Sequence, residues 1–492
     1  MNTGFDNEKY ISLQASHIRE RIDKFGGKLY MEFGGKLFDD YHASRVLPGF
    51  EPDAKIRMLK ELQDDVEIVI IINALDIVSN KTRSDIDIPY SEDVLRLIDV
   101  FHGLGFYVGS VVITRYSGQS EVEDYISHLD ALGVKCYRHR TIEGYPYDID
   151  HLVSEDGFGK NEYVETERPL IVVTAPGPGS GKMATCLSQL YHENLRDVEA
   201  GYAKFETFPV WNLPLKHPVN IAYEAATVDL EDSNAIDPFH LDTYGKIAVN
   251  YNRDIESFPV LQEMMTRISG KCPYKSPTDM GVNMVGNAII DSDIVCNAAC
   301  NEITRRYYKA AVKDVRKGNA REEVSALKIL MKQVGIDPKK NPIRLAAMQR
   351  EEKTGKPAGA IMLPNGEIIT GKTTDVLGCA SSLLLNALKL VAGIDDVEVI
   401  TDEAIKPISK LKTSALHNKN PRLHSDETLI ALSISSAEDK RAAKMIDAVE
   451  KLKGCDAFFS VIISNTDENL YKKLGINVCC EPKFERHTLY HA

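Results

Sequence analysis

Several things this chain lacks narrow its class before anything it contains does. Its nine cysteines include no C-x-x-C pair, and their number is odd. That removes the common zinc and dithiol motifs, and in a chain this long it points to free thiols in a reducing compartment. H-E-x-x-H is absent, as are the H-x-E and P-C-x-x-C elements of zinc deaminases, so no zinc is expected. No apolar run approaches the ~20 residues that span a bilayer. The opening MNTGFDNEKY has no basic-then-apolar leader pattern. The expectation is a cytoplasmic protein with no membrane partner. Positive charge is also scarce: 59 Lys and Arg face 72 Asp and Glu, a net charge of −13. No nucleic-acid partner is expected from that balance. An anionic small molecule remains compatible with it, because a few amides and one lysine can hold phosphate.

A 43% hydrophobic share over 492 residues supplies full cores without staples. The length suggests about three domains. Short Val/Ile-rich runs at 28–33, 66–73, 108–114 and 170–174 read as buried strands. Between them, residues from Ser91, with Val94, Leu97, Ile98 and Phe101 as the apolar stripe, and from Ser120 to Gly133 have helical spacing. This alternation implies a mostly parallel sheet with both faces covered. Residues 206–286 read as irregular and site-lining, rich in Pro, Asn and Asp. Helices are expected over 288–318 and 320–334. A hairpin is expected at 358–370 around Asn365-Gly366, then a helix at 375–391. Strand-like runs follow at 397–401, 428–433 and 458–463, with a helical stretch at 437–452. The fold class is therefore multi-domain α/β. It divides into an N-terminal α/β phosphate-binding domain (1–225), an irregular segment plus helical domain (226–350) and a smaller C-terminal α/β domain (351–492).

The segment TAPGPGSGKMAT, Thr174 to Thr185, carries the chemistry. A strand precedes it and a helix follows. Glycines let backbone amides turn inward, the helix start adds free N–H groups, and Lys182 adds a full charge. Phosphate would be held by Gly177, Gly179, Ser180, Gly181, Lys182 and Thr185. The match to G-x-x-x-x-G-K-S/T is inexact: Pro176 takes the first glycine position, and Met183 stands where a Ser or Thr would ligate Mg²⁺. Gly366 to Thr373 matches that text literally, but its interior reads as a hairpin strand, which cannot curl around phosphate. A weaker anion contact at Thr373 and Thr374 stays open.

Other candidates follow strands, where open α/β sheets bind ligands. Asn73, Asp76, Lys81, Arg83 and Asp85 form one group, and Thr114 with Arg115 another. Arg83 and Arg115 are expected to contact phosphate. Gly34, Gly35, Lys36, Asp39, Asp40 and His42 could cap the same crevice. Asp229 and Asp232, with Asp237 and His240, are an acidic group suited to Mg²⁺; Asn250, Asn252, Arg253 and Asp254 are comparable. Lys275, Asp279 and Asn283 are candidate ligand contacts. His417, Asn418, Asn420, Arg422 and His424 share a polar loop. Cys379 reads as a buried, inert thiol. The catalytic assignments are Lys182, Asp85, Asp229 and His417.

Over essentially its whole length the chain resembles an uncharacterised bacterial family that carries a domain-of-unknown-function label. The resemblance rests on GFGKNEYVETERPLIVVTAPGPGSGKMATCLSQLYHE, FPVWNLPLKHPVNIAYEAATVDLED and LPNGEIITGKTTDVLGCASSLLLNALKL. It implies a nucleotide-fold-like N-terminal domain, a helical insertion and a C-terminal α/β domain similar in element order to the cytidine-deaminase-like class without its zinc ligands. It implies no activity. The residues themselves suggest a nucleotide or phosphometabolite site of the phosphoryl-transfer or ATP-dependent ligase type, with ATP and Mg²⁺ as cofactors. The alternatives are a non-catalytic sensor or a transferase/hydrolase-type site in the C-terminal domain. The expected partners are a phosphate-bearing small molecule and a second copy of the chain.

Overall fold

The computed structural model describes residues 3–485 except 36, 39, 84–87, 231, 396 and 397. It separates into two compact units, 2–299 and 300–492, each with its own sheet.

The first unit is built on seven parallel strands: β1 (Leu29–Phe33), β2 (Val66–Asn73), β3 (Tyr107–Tyr116), β4 (Cys136–Arg140), β5 (Leu170–Thr174), β6 (Gly201–Phe205) and β7 (Gly281–Val282). Their spatial order is β7-β6-β1-β5-β2-β3-β4, so β5 is the middle strand and pairs with both β1 and β2. All eight residues of β2 and all five of β5 are buried, as Val/Ile-rich strands in a covered parallel sheet should be. Helices α1 (Asn7–Lys24), α2 (Tyr90–Gly103), α3 (Ser120–Ala131), α4 (Lys182–Asn194) and α5 (Asn252–Ser269) belong to this unit. Tyr30, Ile171, Val173 and Tyr202 on one sheet face pack with Leu187 and Leu190 of α4 and with Phe258, Leu261 and Met265 of α5.

Three expectations need correction here. Residues 206–286 are not one irregular loop. They hold α5, a helix at Pro218–Ala226, and shorter helices at Pro238–Tyr244 and Pro277–Met280. Each of the last three starts on a proline preceded by a capping side chain (His217, Asp237 and Ser276), so prolines that look like breakers are helix starters. The helix after residue 89 begins at Tyr90 with no side-chain cap, and Asp93 is instead buried against Arg83 and Arg96. Residues 428–433 are helical, within Ser425–Ser435, not a strand.

The unit boundary falls within the long helix α6 (Ser292–Lys317), which is followed by α7 (Arg321–Gln333) and α8 (Pro342–Thr354). The second unit has four strands, β8 (Ala358–Met362), β9 (Ile368–Lys372), β10 (Asp456–Phe459) and β11 (Asn477–Cys480), in the order β9-β8-β10-β11. β8 runs antiparallel to β9 and β10, while β10 and β11 are parallel. The expected hairpin is present. The run at 458–463 is a strand only to Phe459, and residues 398–401 form no strand, residue 397 lying outside the described set. Ile361 and Phe459 on one face pack with α9 (Cys379–Val391), and Ala360 and Phe458 on the other pack with Ile343 and Ala347 of α8. The C-terminal helices used below are α10 (Ser425–Ser435) and α11 (Asn465–Lys473). Among the described residues, no helix is long and apolar enough to cross a membrane.

The one tryptophan, Trp211, lies in the first unit and reports on it alone. Ile171→Ala, which empties a fully buried position on the middle strand, is expected to lower that unit's stability by about 3 kcal/mol. The measurement is an earlier urea midpoint by Trp211 fluorescence.

Candidate functional site

The glycine loop, residues 175–181, leaves the carboxyl end of the middle strand and enters α4. Open parallel sheets bind ligands at this edge. The loop is curled: Gly179 and Gly181 have φ of 71° and 93°. At Gly181 a side chain is excluded twice, by the left-handed backbone and by Thr114, whose Cγ2 would lie 3.0 Å from an added Cβ. Thr114 Oγ1 also donates to the Ser180 carbonyl at 2.6 Å, tying the loop to the end of β3. At Gly177 an added Cβ would fall 2.2 Å from the Tyr90 hydroxyl. Pro178 and Gly179 are exposed, so the loop is open on its outer side.

Helix α4 starts at Lys182 with no side-chain cap, and its first bond runs from Thr185 N–H to the Gly181 carbonyl at 2.9 Å. The amides of Lys182, Met183 and Ala184 have no acceptor among the described residues. These are the free donors of any helix start. The Ser180 and Thr185 hydroxyls are less ordinary, because both are buried and neither has a hydrogen-bond partner among the described residues. Buried hydroxyls are nearly always satisfied.

Beside the loop, the parallel register sets Glu32 of β1 directly next to Lys204 of β6. Both lie on the sheet face covered by α4 and α5, whose first turns supply one charge each. Lys182 Nζ stands 3.9 Å from Glu32 Oε1. Asp254, in the first turn of α5, accepts a hydrogen bond from Lys204. The result is a row of alternating charge: Lys182, Glu32, Lys204, Asp254. Glu206, just past β6, adds a third carboxylate to the row, with Oε1 3.1 Å from Lys204 Nζ. Tyr202 donates to Glu32 Oε2 at 2.8 Å. Burial pushes the Glu206 carboxyl up to about 8; Lys204 opposes that shift and Asp254 adds to it. Burial works against the Lys204 charge, but Asp254, Glu206 and Glu32 outweigh it and hold the ammonium above its ordinary value. Burying so many charges is costly, and such clusters concentrate at functional sites.

Sequence reasoning singled out Lys182 and grouped Asp254 with its neighbours, but it missed Glu32, Lys204 and Glu206. A signal was present: LYMEF and GYAKF each place one charge inside an otherwise apolar strand. The other sequence-predicted residues scatter. Arg115 follows Thr114 at the loop, exposed and at φ 52°, an uncommon backbone state for a non-glycine residue. Arg83 is held by buried Asp93 at 2.8 Å, so it is committed to packing α2 rather than free for phosphate. Asp85 lies outside the described residues, as do Lys36 and Asp39. Asp232 pairs with Arg253 at 2.6 Å and feels Asp254 and Lys204, whereas Asp229 is exposed on a single helical turn. Among the described residues, no three His, Cys, Asp or Glu side chains are placed to hold a metal ion. Asn73, Asp40 and Asp237 cap helices, and Asn283 bonds the Thr207 and Pro209 carbonyls.

In the second unit, His417 is exposed at φ 53°, while its neighbour His424 is built in. His424 caps α10 and its Nδ1 lies 3.1 Å from Asp467 Oδ2 in the first turn of α11. Asp467 Oδ1 accepts from the Ser425 N–H and hydroxyl at 2.8 and 2.7 Å. The Asp467 bond raises the His424 pKa above its ordinary value, against the effect of burial. Burial alone would raise the Asp467 carboxyl, but bonds from His424, Ser464 and Ser425 prevail and lower it. Cys379 is buried, and burial pushes its thiol up to about 12, as an inert thiol requires.

Residues 3–335 match the family described as domain of unknown function DUF1846, N-terminal, and residues 339–490 match its C-terminal counterpart. The chain is 55% identical over 489 residues to a UPF0371 protein of Corynebacterium diphtheriae, covering 99% of this chain and 98% of that one. A UPF0371 protein of Streptococcus sanguinis is 54% identical over 487 residues, covering 99% of each. One from Streptococcus equi subsp. equi is 53% identical over 492 residues, covering 100% of each.

Two outcomes follow from this geometry. Gly181→Ala is expected to destabilise the first unit by roughly 1 kcal/mol more than Gly179→Ala, because only the former also meets Thr114. Trp211 urea midpoints compare the two. For the His424–Asp467 pair, a raised imidazole pKa gives stability that is present below its ordinary value and lost as pH rises through the folded value. The second unit's melting temperature should therefore fall from pH 6 toward pH 9, and His424→Asn should flatten that slope in calorimetry.

Proposed function

The chain belongs to the DUF1846 family, and we propose that this member binds a nucleotide or phosphorylated small molecule on the P-loop-like turn at residues 177–182. The observation that carries the reading is the pair of buried hydroxyls at Ser180 and Thr185, unpartnered among the described residues, where the loop meets a helix start with three unclaimed amides. A phosphoryl group has the several acceptor oxygens that such donors lack. Lys182 supplies the matching charge. It sits 3.9 Å from Glu32, beyond hydrogen-bond range, so its three donors are not consumed there. Arg115, exposed beside the loop, is the second cation of the site.

An enzyme of the phosphoryl-transfer or ATP-dependent ligase type fits best, because stabilising phosphate charge is the main task in that chemistry. In this reading Mg²⁺ arrives with ATP, and Asp232 is the predicted metal carboxylate that reaches the Lys204 cluster electrostatically. Met183, which cannot ligate Mg²⁺, favours a second reading, a nucleotide sensor without turnover. Metal-dependent turnover of any nucleotide by the purified protein would exclude the sensor. The His424–Asp467 pair supports a separate transferase or hydrolase site in the C-terminal unit.

The direct test is calorimetry with ATP, ADP and pyrophosphate, with and without Mg²⁺. Lys182→Ala should weaken the tightest of these by at least about tenfold, the loss of one charge-assisted contact. Equal affinity in the wild type and the variant would remove the reading.

A further inference from the structure

One strand beyond Glu32, the site holds a compact group with one ammonium and two carboxyls: Lys204, Asp254 and Glu206. We propose that Glu206 is the acid–base group of the glycine-loop site, exchanging a proton with a hydroxyl or amine on the reactant that meets the bound phosphate. This rests on the phosphate reading above and deepens it, because it assigns the second reactant to the class of protic nucleophiles.

The two carboxyls are not equivalent. Asp254 lies in the first turn of α5, where the helix dipole favours an anion, and it takes the hydrogen bond from Lys204. Glu206 has no helix behind it. It is buried, shares Lys204 with Asp254 and also contacts the Asp254 carboxyl. The ionisable groups that bear on it are Lys204 and Asp254 directly, the Tyr251 and Tyr223 hydroxyls, and Glu32 through Lys204. It is therefore the member left short of positive charge, and its carboxyl is pushed up to about 8. A proton acceptor works best when its pKa lies near the working pH. Position supports the same assignment: Glu206 follows β6 at the sheet edge where the glycine loop lies, and Lys204 and Glu32 link it to Lys182.

The step balances without any further reactant. The oxygen or nitrogen of the nucleophile forms a bond to phosphorus as its proton passes to the Glu206 carboxylate. The P–O bond to the leaving group breaks, and the electron pair stays on that oxygen, beside Lys182 and the loop amides. Asp254 and Lys204 position Glu206 and do not touch the reacting atoms.

The probe is inorganic pyrophosphate, titrated calorimetrically into the full chain in buffers of different ionisation enthalpy from pH 6.5 to 9.5. An anion arriving near Glu206 raises its pKa further, so the wild type should take up a fraction of a proton on binding, centred near pH 8. Glu206→Gln should bind without that uptake. Asp254→Asn leaves Lys204 to Glu206 alone, so it should move the uptake to lower pH. Carbon-13 NMR of the glutamate carboxyls gives an independent view, a resonance titrating near pH 8 that is missing in Glu206→Gln. Uptake that persists unchanged in Glu206→Gln, or wild-type binding with no uptake, overturns this proposal and leaves the phosphate reading standing. A wild type with no pyrophosphate affinity removes both.

Discussion

The adjacency of Glu32 and Lys204 on neighbouring parallel strands is the constraint from which the rest of the site follows. Two opposite charges at the covered edge of a sheet have little water to shield them. Each then needs a further partner of opposite charge, and helices starting above the strand ends provide one for each. Helix α4 brings Lys182 to Glu32, and α5 brings Asp254 to Lys204. The glycine loop is the link that lets α4 begin there at all. A loop of ordinary residues could not take the left-handed turn at Gly181 under Thr114, so α4 could not start with its first amides at the strand edge.

Much of the scaffold was readable in the residues, and the limits have physical causes. Residues 66–73 and 170–174 are rich in Val and Ile, and both are strands from end to end. GYAKF gives no such signal. Its glycine and lysine look like turn residues, and only the register beside β1 makes them a strand. TLIALS reads as a strand-like run. It is helical because the Glu427 carboxylate accepts the His424 N–H at the helix start, and because Thr428, Ala431, Leu432 and Ser435 fall on one buried helical face. Proline misled in the same way between 206 and 286, where it opens helices instead of ending them.

The two text-level phosphate motifs show why backbone conformation outranks spelling. Gly366 to Thr373 satisfies the pattern letter by letter, yet most of it is β9, paired residue for residue with β8. The segment around Lys182 fails the pattern at two positions, Pro176 and Met183, yet it is the one that curls between a buried strand and a helix. The same holds for the histidines. His417 and His424 stand in one polar loop by sequence, but among the described residues it is His424 that meets a carboxylate from another helix, while His417 is exposed with a left-handed φ.

The sheet order also bears on how the chain is made. β1 and β2 follow one another in sequence, yet in the sheet a gap separates them that only β5 fills. A ribosome must therefore deliver residues 170–174 before the centre of the first unit can close. Until then two strongly apolar edges wait exposed, so the nascent chain is most vulnerable to aggregation over that interval of synthesis. It follows that the fragment ending before residue 170 cannot form this sheet by itself. Fragment complementation across that gap would need a strand supplied in trans, inserted between two others.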